Sequence, residues 1–176
     1  YVYGGPGVQK VKNEWSSMVV QLFAQNGFGV LELDNRGSSN RGRSFEQPIY
    51  KSLGGVEIED QLLGLDMLKE IDWADSENVG IFGHSYGGYM TLMGLCQSTR
   101  FSAGVSVAPV SDWRLYDTHY TERYMGLPID NDEGYAKSNV INQIHALKSP
   151  LLLMHGMADD NVLFTHSTLL MSALQK

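Results

Sequence analysis

Cysteine is almost absent from this sequence: Cys96 is the single one in 176 residues. One thiol cannot close a disulfide within the chain, and it cannot supply the ligands of a Cys-rich zinc site. The histidines also lack the His-Glu-x-x-His spacing that is typical of zinc peptidases. We therefore predict neither a disulfide framework nor a metal site.

Clustered positive charge and long apolar runs are missing as well. The 13 Lys and Arg residues are scattered and outnumbered by 20 Asp and Glu, which gives a formal net charge of −7. Nucleic acid is not an expected partner, because phosphate binding needs a basic face. No apolar run approaches the roughly 20 residues that a membrane helix needs, so we expect no membrane contact from this segment.

Apolar segments with strand-like and helix-like patterns alternate along the chain. Short apolar strands that alternate with helices form a parallel sheet covered on both faces, so we predict one α/β domain with a mostly parallel sheet. The patterns predict helices over residues 13–26, 56–71, 86–97 and 164–174, and strands over residues 28–33, 79–82, 101–108 and 151–155.

Several polar or turn-forming residues directly follow predicted strands: Asp34, Ser85, Pro109 and Asp159. In open parallel sheets the ligand site lies at the carboxyl ends of the strands, so these positions predict a site at that edge. The long aromatic and polar stretch 110–146 interrupts the alternation, and we expect it to shape a pocket beside the site.

Residues 83–87, Gly-His-Ser-Tyr-Gly, match the G-x-S-x-G pattern of a serine nucleophile. The pattern alone is weak, but here it lies between a predicted strand and a predicted helix, as the sharp turn of an α/β-hydrolase requires. We predict that Ser85 is the nucleophile and that the backbone amide of Tyr86 donates to the developing oxyanion. The alternative is an ordinary serine in a glycine-rich turn.

An activated serine needs a histidine base and an acid that orients it, and in this fold the acid precedes the histidine in the chain. The loop after residues 151–155 offers Asp159 and, as a fallback, Asp160; either could instead cap the following helix. His166 follows Asp159 by only seven residues and lies in a predicted helix, so we do not expect it to be the base.

The other histidines are equally unsuited to act as the base. His84 should point away from the nucleophile, His155 should brace the acid loop, and His119 and His145 should be surface or pocket residues. We therefore expect the catalytic histidine to lie beyond Lys176.

The chain resembles the dipeptidyl peptidase IV branch of the prolyl oligopeptidase family. Tyr-Thr-Glu-Arg-Tyr-Met-Gly-Leu-Pro is the most specific match, whereas His84 departs from the tryptophan of that branch. The family places a β-propeller before this domain and the histidine-bearing segment after it. The resemblance thus implies that residues 1–176 are a truncated α/β-hydrolase catalytic domain without its C-terminal part. The matching segments are residues 2–7, 34–38, 83–90, 108–113, 120–126 and 155–162.

The resemblance also implies roles for individual residues. Tyr3 matches the tyrosine whose hydroxyl joins the Tyr86 amide in the oxyanion hole, and Asp159 rather than Asp160 matches the triad acid. Asn161 matches a residue that holds the substrate backbone, with Arg123 beside it. The expected walls of a proline pocket are Val110, Trp113, Tyr116, Tyr120 and Val162.

A stiff aromatic pocket suits a proline ring, which is apolar and has no N–H group. The alternative for these aromatic residues is ordinary core packing. The expected activity is hydrolysis of peptide substrates after proline or alanine second from the amino end, without a cofactor. Tripeptidyl- or acylaminoacyl-releasing activity, an esterase, and a chain inactive without its histidine remain alternatives. Dimers are common in the resembled branch, so a homodimeric parent is a further expectation.

Overall fold

The computed structural model describes residues 1–175 and consists of alternating helices and strands. Short 3₁₀ turns connect them at Gln47–Ile49, Trp113–Leu115, Pro128–Asp130 and Ile144–Ala146. The elements in chain order are α1 (Met18–Gln25), α2 (Arg43–Glu46), α3 (Val56–Leu68), β1 (Val79–His84), α4 (Tyr86–Gln97), β2 (Phe101–Val107), α5 (Thr118–Met125), α6 (Asp132–Lys137), β3 (Leu151–Met154) and α7 (Thr165–Leu174).

The three strands form one parallel sheet in the order β1-β2-β3. Ile81 of β1 pairs with Gly104 of β2, which pairs in turn with Leu151 of β3. Each crossover contains a helix, as parallel neighbours require. The arrangement confirms the predicted parallel α/β architecture.

Helix α4 is the centre of the core. All of its residues from Tyr86 to Leu95 are buried, and it packs against β1 and β2 on one face of the sheet. On the opposite face, Phe82 of β1 contacts Phe23 of α1 at 6.0 Å between ring centroids. Helices therefore lie on both faces, although α4 covers its face far more completely than α1, which has no buried residue.

Two predictions for the first third of the chain were wrong. Residues 28–33 are not part of the sheet. Their neighbours are residues 1–3, but the hydrogen bond from the Tyr1 amino group to Leu31 O is the link between them, and residues 1–3 themselves join the sheet through a single bridge from Val2 to Gly83. So few bonds do not make a ladder. The first helix begins at Met18 rather than at residue 13, because the hydroxyl of Ser17 accepts a hydrogen bond from the amide of Val20 and caps the helix there.

The stretch 110–146 has the expected irregular structure, with two short helices and three 3₁₀ turns. Its buried anchor residues are Trp113, Met125, Tyr135 and Val140, which belong to the main core. The stretch is therefore a fixed part of the domain. In residues 1–175 there is no helix with the length and apolar character needed to cross a membrane.

We predict that Gly88→Ala destabilises the fold. A Cβ there would lie 2.6 Å from the carbonyl oxygen of Val107 and 3.2 Å from Cα of Pro109, and neither backbone atom can move aside easily. Overpacking costs about 1–3 kcal/mol, which outweighs the gain of about 1 kcal/mol that alanine brings to a helix. The denaturation midpoint should fall. Gly80→Ala is the matched control, since its Cβ would meet nothing closer than 3.7 Å; an equal shift in both variants would contradict the prediction.

Candidate active site

Ser85 occupies a sharp turn between β1 and α4. Its backbone has φ 59° and ψ −117°, a conformation that costs about 1–3 kcal/mol for a non-glycine residue. Its amide donates to Val107 O at 2.9 Å, and a Cβ on Gly83 would overlap the backbone of Gly87. The turn is thus held by neighbouring backbone, and it places Ser85 at the carboxyl end of β1.

Tyr86 begins α4, where a backbone amide has no partner within the helix. Its side chain is buried, and its hydroxyl donates to Oε1 of Glu57 at 2.7 Å. Burial, followed by the charge of Glu57, raises the pKa of Tyr86 well above its usual value, so the hydroxyl stays protonated. The amide of Tyr86 is therefore fixed next to Ser85.

The structure brings Tyr3 to the same place. Val2 donates to Phe82 O at 2.8 Å, which aligns the first residues with β1, and the ring of Tyr3 lies 6.0 Å from that of Tyr86. Burial raises the pKa of Tyr3, and the neighbouring Tyr116 and Tyr124 raise it further. Tyr3 is therefore a neutral phenol that can donate a hydrogen bond.

The loop after Tyr3 is held by a buried amide. Nδ2 of Asn35 donates to Gly4 O at 2.9 Å and to Arg36 O at 2.7 Å, while Oδ1 of Asn35 accepts from Nε2 of Gln61 at 2.9 Å. The first of these bonds reaches Gly4, the neighbour of Tyr3, and the third reaches α3. The loop is consequently tied to α3 through Gln61.

Asp159 closes a tight turn after β3. Its Oδ1 accepts hydrogen bonds from the amides of Asn161 and Val162, both at 3.0 Å. It does not cap α7, whose N-cap is Phe164. Asp160, the fallback acid, is exposed. The alternative prediction, that Asp159 caps the following helix, is therefore wrong, because that helix is α7. The Asp159 carboxylate does, however, organise the turn in which it lies.

His155 braces this turn. Its Nε2 lies 2.7 Å from Val162 O and 3.5 Å from Oδ2 of Asp159, and its Nδ1 lies 2.6 Å from Oγ of Ser167. Because a carbonyl oxygen only accepts, Nε2 carries the proton and Nδ1 accepts from Ser167. These contacts match the bracing position expected for His155.

Tyrosines line one side of the site. Tyr116 and Tyr120 pack edge to face at 5.4 Å between ring centroids, and Tyr120 stacks on Trp113 at 6.0 Å. The Tyr116 hydroxyl donates to Oδ1 of Asn161 at 3.0 Å, which joins this wall to the Asp159 turn. The aromatic stretch and the acid turn are thus one surface.

The remaining expected pocket residues lie deeper or farther out. Val110, Trp113 and Val162 are buried members of the main core. Tyr116 and Tyr120 pack against this core, with Trp113 in direct ring contact with both, so the three residues lie behind the wall and do not form its surface. Arg123 is exposed on α5 and donates from Nη2 to Nε2 of His119 at 3.0 Å; among residues 1–175 it forms no hydrogen bond with Asn161.

None of the five histidines hydrogen-bonds to Ser85 in residues 1–175. His84 and His145 are exposed, His119 pairs with Arg123, and His155 is engaged at both nitrogens. His166 is buried in α7, where its Nδ1 accepts from the Ser111 amide at 3.1 Å. Over the same residues, no group of three His, Cys, Asp or Glu side chains is arranged to hold a metal ion.

Sequence reasoning missed Glu57, which is completely buried beside the site. Residues 56–71 were predicted only as an amphipathic helix. The available signal was an acidic residue in the first turn of that helix, two positions after Gly55; its carboxylate accepts hydrogen bonds from the amides of Gly54 and Gly55. That signal is common at helix starts and does not by itself mark an active site.

A serine on a strained strand-to-helix turn, at the carboxyl edge of a parallel sheet and followed by an acidic turn after a later strand, defines an α/β-hydrolase-type domain. The sequence model of the prolyl oligopeptidase family matches residues 14–176, and the chain belongs to that family.

Similar proteins carry dipeptidyl peptidase names. The chain is 43% identical to mouse dipeptidyl peptidase 8 over 182 residues, covering 99% of the chain and 20% of that protein. It is 39% identical to Trichophyton equinum dipeptidyl peptidase 4, covering 98% of the chain and 23% of that protein. The crystal structure of Porphyromonas gingivalis dipeptidyl peptidase 4 superposes with a TM-score of 0.94 at 39% identity, covering 98% of the chain and 25% of that structure. The chain therefore spans between a fifth and a quarter of the length of these relatives.

We predict that His166 makes the fold acid-sensitive. Burial lowers the pKa of His166 to about 4, below its usual value of about 6.5. As the pH falls, the unfolded chain binds this proton at a higher pH than the folded chain does. The free energy of unfolding is therefore retained above pH 6.5 and declines as the pH falls from 6.5 towards 4. His166→Asn, which keeps an acceptor for Ser111, should flatten this decline in a series of denaturation curves.

The matched control for this pH series is His145→Asn, because His145 is exposed. It should retain the acid dependence of the unsubstituted protein. An unchanged decline in His166→Asn would show that another group causes the acid sensitivity.

Proposed function

We propose that this chain is the nucleophile-bearing part of a serine peptidase that releases dipeptides with proline or alanine second from the amino end. The observation that carries the proposed chemistry is the strained turn at Ser85, with Tyr3 packed against Tyr86 beside it. The names of the relatives support the release of dipeptides, and the tyrosine wall beside the site supports the preference for proline. The proposal applies to a longer polypeptide that contains these residues.

In this proposal Ser85 Oγ attacks the carbonyl carbon of the scissile peptide bond while a histidine accepts its proton. The amide of Tyr86 and the hydroxyl of Tyr3 donate to the oxyanion, where preorganised donors act most strongly. The protonated histidine then passes its proton to the leaving amine. Water attacks the resulting ester on Ser85 and releases the dipeptide.

Asp159 orients the histidine. One carboxylate oxygen is occupied by the amides of Asn161 and Val162, so Oδ2 is the oxygen that would face the imidazole. The histidine lies outside the 176 residues, a conclusion supported by the exposed or engaged positions of the five histidines within them. The chemistry needs neither metal nor cofactor.

The tyrosine wall forms the proposed proline pocket. Tyr116 and Tyr120 present ring surface, and Trp113 packs behind both rings. Val110 and Val162 belong to the buried core against which the two tyrosines pack. An apolar ring without an N–H group leaves no donor unsatisfied against such a wall. Asn161 accepts from Tyr116 through Oδ1, which leaves its Nδ2 available to donate to a substrate carbonyl. Arg123 contributes positive charge from the exposed surface of α5.

Comparison of two chromogenic substrates tests the proposed specificity. The full-length polypeptide should prefer a free-amino Gly-Pro anilide over an N-acetyl-alanine anilide. The 176-residue chain alone is the negative control: it should cleave neither, and a fluorophosphonate should not label its Ser85 rapidly. Preference for the acetylated substrate would instead indicate an acylaminoacyl-releasing enzyme. Rapid labelling of the isolated chain would refute the claim that the catalytic histidine lies outside these 176 residues.

Asp159→Asn should lower kcat of the full-length polypeptide by about 10⁴-fold, the loss seen when a triad acid becomes an amide. Oδ1 of the new side chain can still accept from the Asn161 and Val162 amides, so the turn should persist. Asp160→Asn is the matched control because Asp160 is adjacent and exposed. Similar kcat values for the two variants, measured with the Gly-Pro anilide, would remove Asp159 from the triad.

A further inference from the structure

Glu57 is an ionisable side chain completely enclosed by protein at the start of α3. Its Oε1 accepts hydrogen bonds from the Gly54 amide at 2.9 Å and from the Tyr86 hydroxyl at 2.7 Å, and its Oε2 accepts from the Gly55 amide at 3.0 Å. No Lys, Arg or His forms an ion pair with it in residues 1–175. The carboxyl group is thus stabilised by N–H groups and by one tyrosine hydroxyl.

Such a group is expensive to bury. An isolated carboxylate in a protein interior costs several kcal/mol unless its oxygens are fully hydrogen-bonded. Two of the three donors are the backbone amides of Gly54 and Gly55, which directly precede α3, and a carboxylate at an exposed helix start could accept from such amides equally well. These two hydrogen bonds therefore do not explain why the side chain points inward to Tyr86.

Tyr86 is attached directly to the proposed nucleophile. Its ring is clamped between Tyr89 and Trp113, at 5.5 and 5.4 Å between centroids, and its hydroxyl end is held by Glu57. Because Ser85 has φ 59°, rotation of the Ser85–Tyr86 peptide towards a relaxed backbone would relieve strain. A side chain fixed at both ends opposes that rotation.

We infer that Glu57 is a positioning residue for the oxyanion hole: it holds Tyr86 by its hydroxyl and thereby keeps the Tyr86 amide aimed at the substrate oxygen beside Ser85. This inference rests on the proposed function, because it presumes that the amide stabilises an oxyanion. Glu57 acts through Tyr86 and does not touch substrate.

Two nearly isosteric substitutions test it in the full-length polypeptide. Glu57→Gln replaces one acceptor with an NH₂ group that opposes the backbone donors, and Tyr86→Phe removes only the hydroxyl and keeps the ring and the amide. Removing an oxyanion donor outright costs about 10²–10³-fold in kcat, so misaligning one should cost less, about tenfold, with KM for the Gly-Pro anilide little changed.

The decisive measurement compares the affinity for a transition-state analogue with the affinity for a ground-state ligand. A dipeptide boronic acid, which forms a tetrahedral adduct with serine, should bind more weakly by the same factor as kcat falls. The product dipeptide Gly-Pro should bind as before. The double variant should lose about as much kcat as the more damaging of the two single variants, and no more, since the two groups act as one unit. Independent, multiplying losses would overturn the inference.

A purely structural role for Glu57 gives a different result. In that case the substitutions would lower the melting temperature or the fraction of sites titrated by a fluorophosphonate. The kcat per titrated site and the affinity for the boronic acid would stay unchanged. Should Glu57→Gln fail to fold, Tyr86→Phe alone decides by the same criteria. Glu59→Gln is the matched control on α3, because Glu59 is exposed and pairs only with Arg36 at the surface; it should behave as the unsubstituted protein.

Failure of the proposed function is recognised separately. If the unsubstituted polypeptide does not cleave the Gly-Pro anilide but its Ser85 reacts with a fluorophosphonate, only the substrate assignment fails. The labelling rate then replaces kcat, and both variants should slow it about tenfold as an oxyanion-hole defect. A polypeptide that neither cleaves nor is labelled would overturn both proposals.

Discussion

The close approach between the first turn of α4 and the ends of β1 and β2 is the constraint on which the site depends. Gly83 and Gly87 allow backbone to meet backbone, and the amide of Ser85 is bonded to Val107 O at 2.9 Å. A side chain at either glycine would push α4 away from the sheet. The strain at Ser85 persists because this contact, made by several atoms that cannot move independently, leaves no room for a relaxed turn.

Buried polar side chains hold the surrounding loops at that turn. Asn35 secures the loop that follows Tyr3, Glu57 holds Tyr86, and His155 braces the turn of Asp159. Asn35 and Glu57 bond to residues about 30 positions away in sequence, His155 bonds to Val162 and Ser167 in the segment that follows it, and all three side chains are enclosed. In a low-dielectric interior an unpaired partner is costly, so these bonds confine three loops to one arrangement instead of many. The geometry of the site is therefore set largely by residues that carry no chemistry.

Prediction from the sequence succeeded where local pattern and tertiary packing agree. Residues 86–97 were predicted as a helix and form α4 with the same bounds, because glycines and a continuous apolar run mark both its start and its burial. Prediction failed for residues 28–33, because an apolar segment becomes a strand only where neighbours supply its hydrogen bonds. Core packing was the alternative for all the pocket aromatics and was weighted most for Trp113; Trp113 does lie in the core, whereas Tyr116 and Tyr120 are only partly buried.

The sequence by itself determined the parallel α/β class and the place of the Ser85 turn, since both follow from residue spacing and from glycines that only a tight turn requires. It also offered two acids after a late strand, Asp159 and Asp160, between which only the family resemblance chose. Only the tertiary structure decided that Tyr3 meets Tyr86, that Tyr116 bonds to Asn161, and that Glu57 is enclosed beneath them. The physical reason is that these contacts join residues dozens of positions apart, and local propensity carries no information about which distant side chains will be packed together.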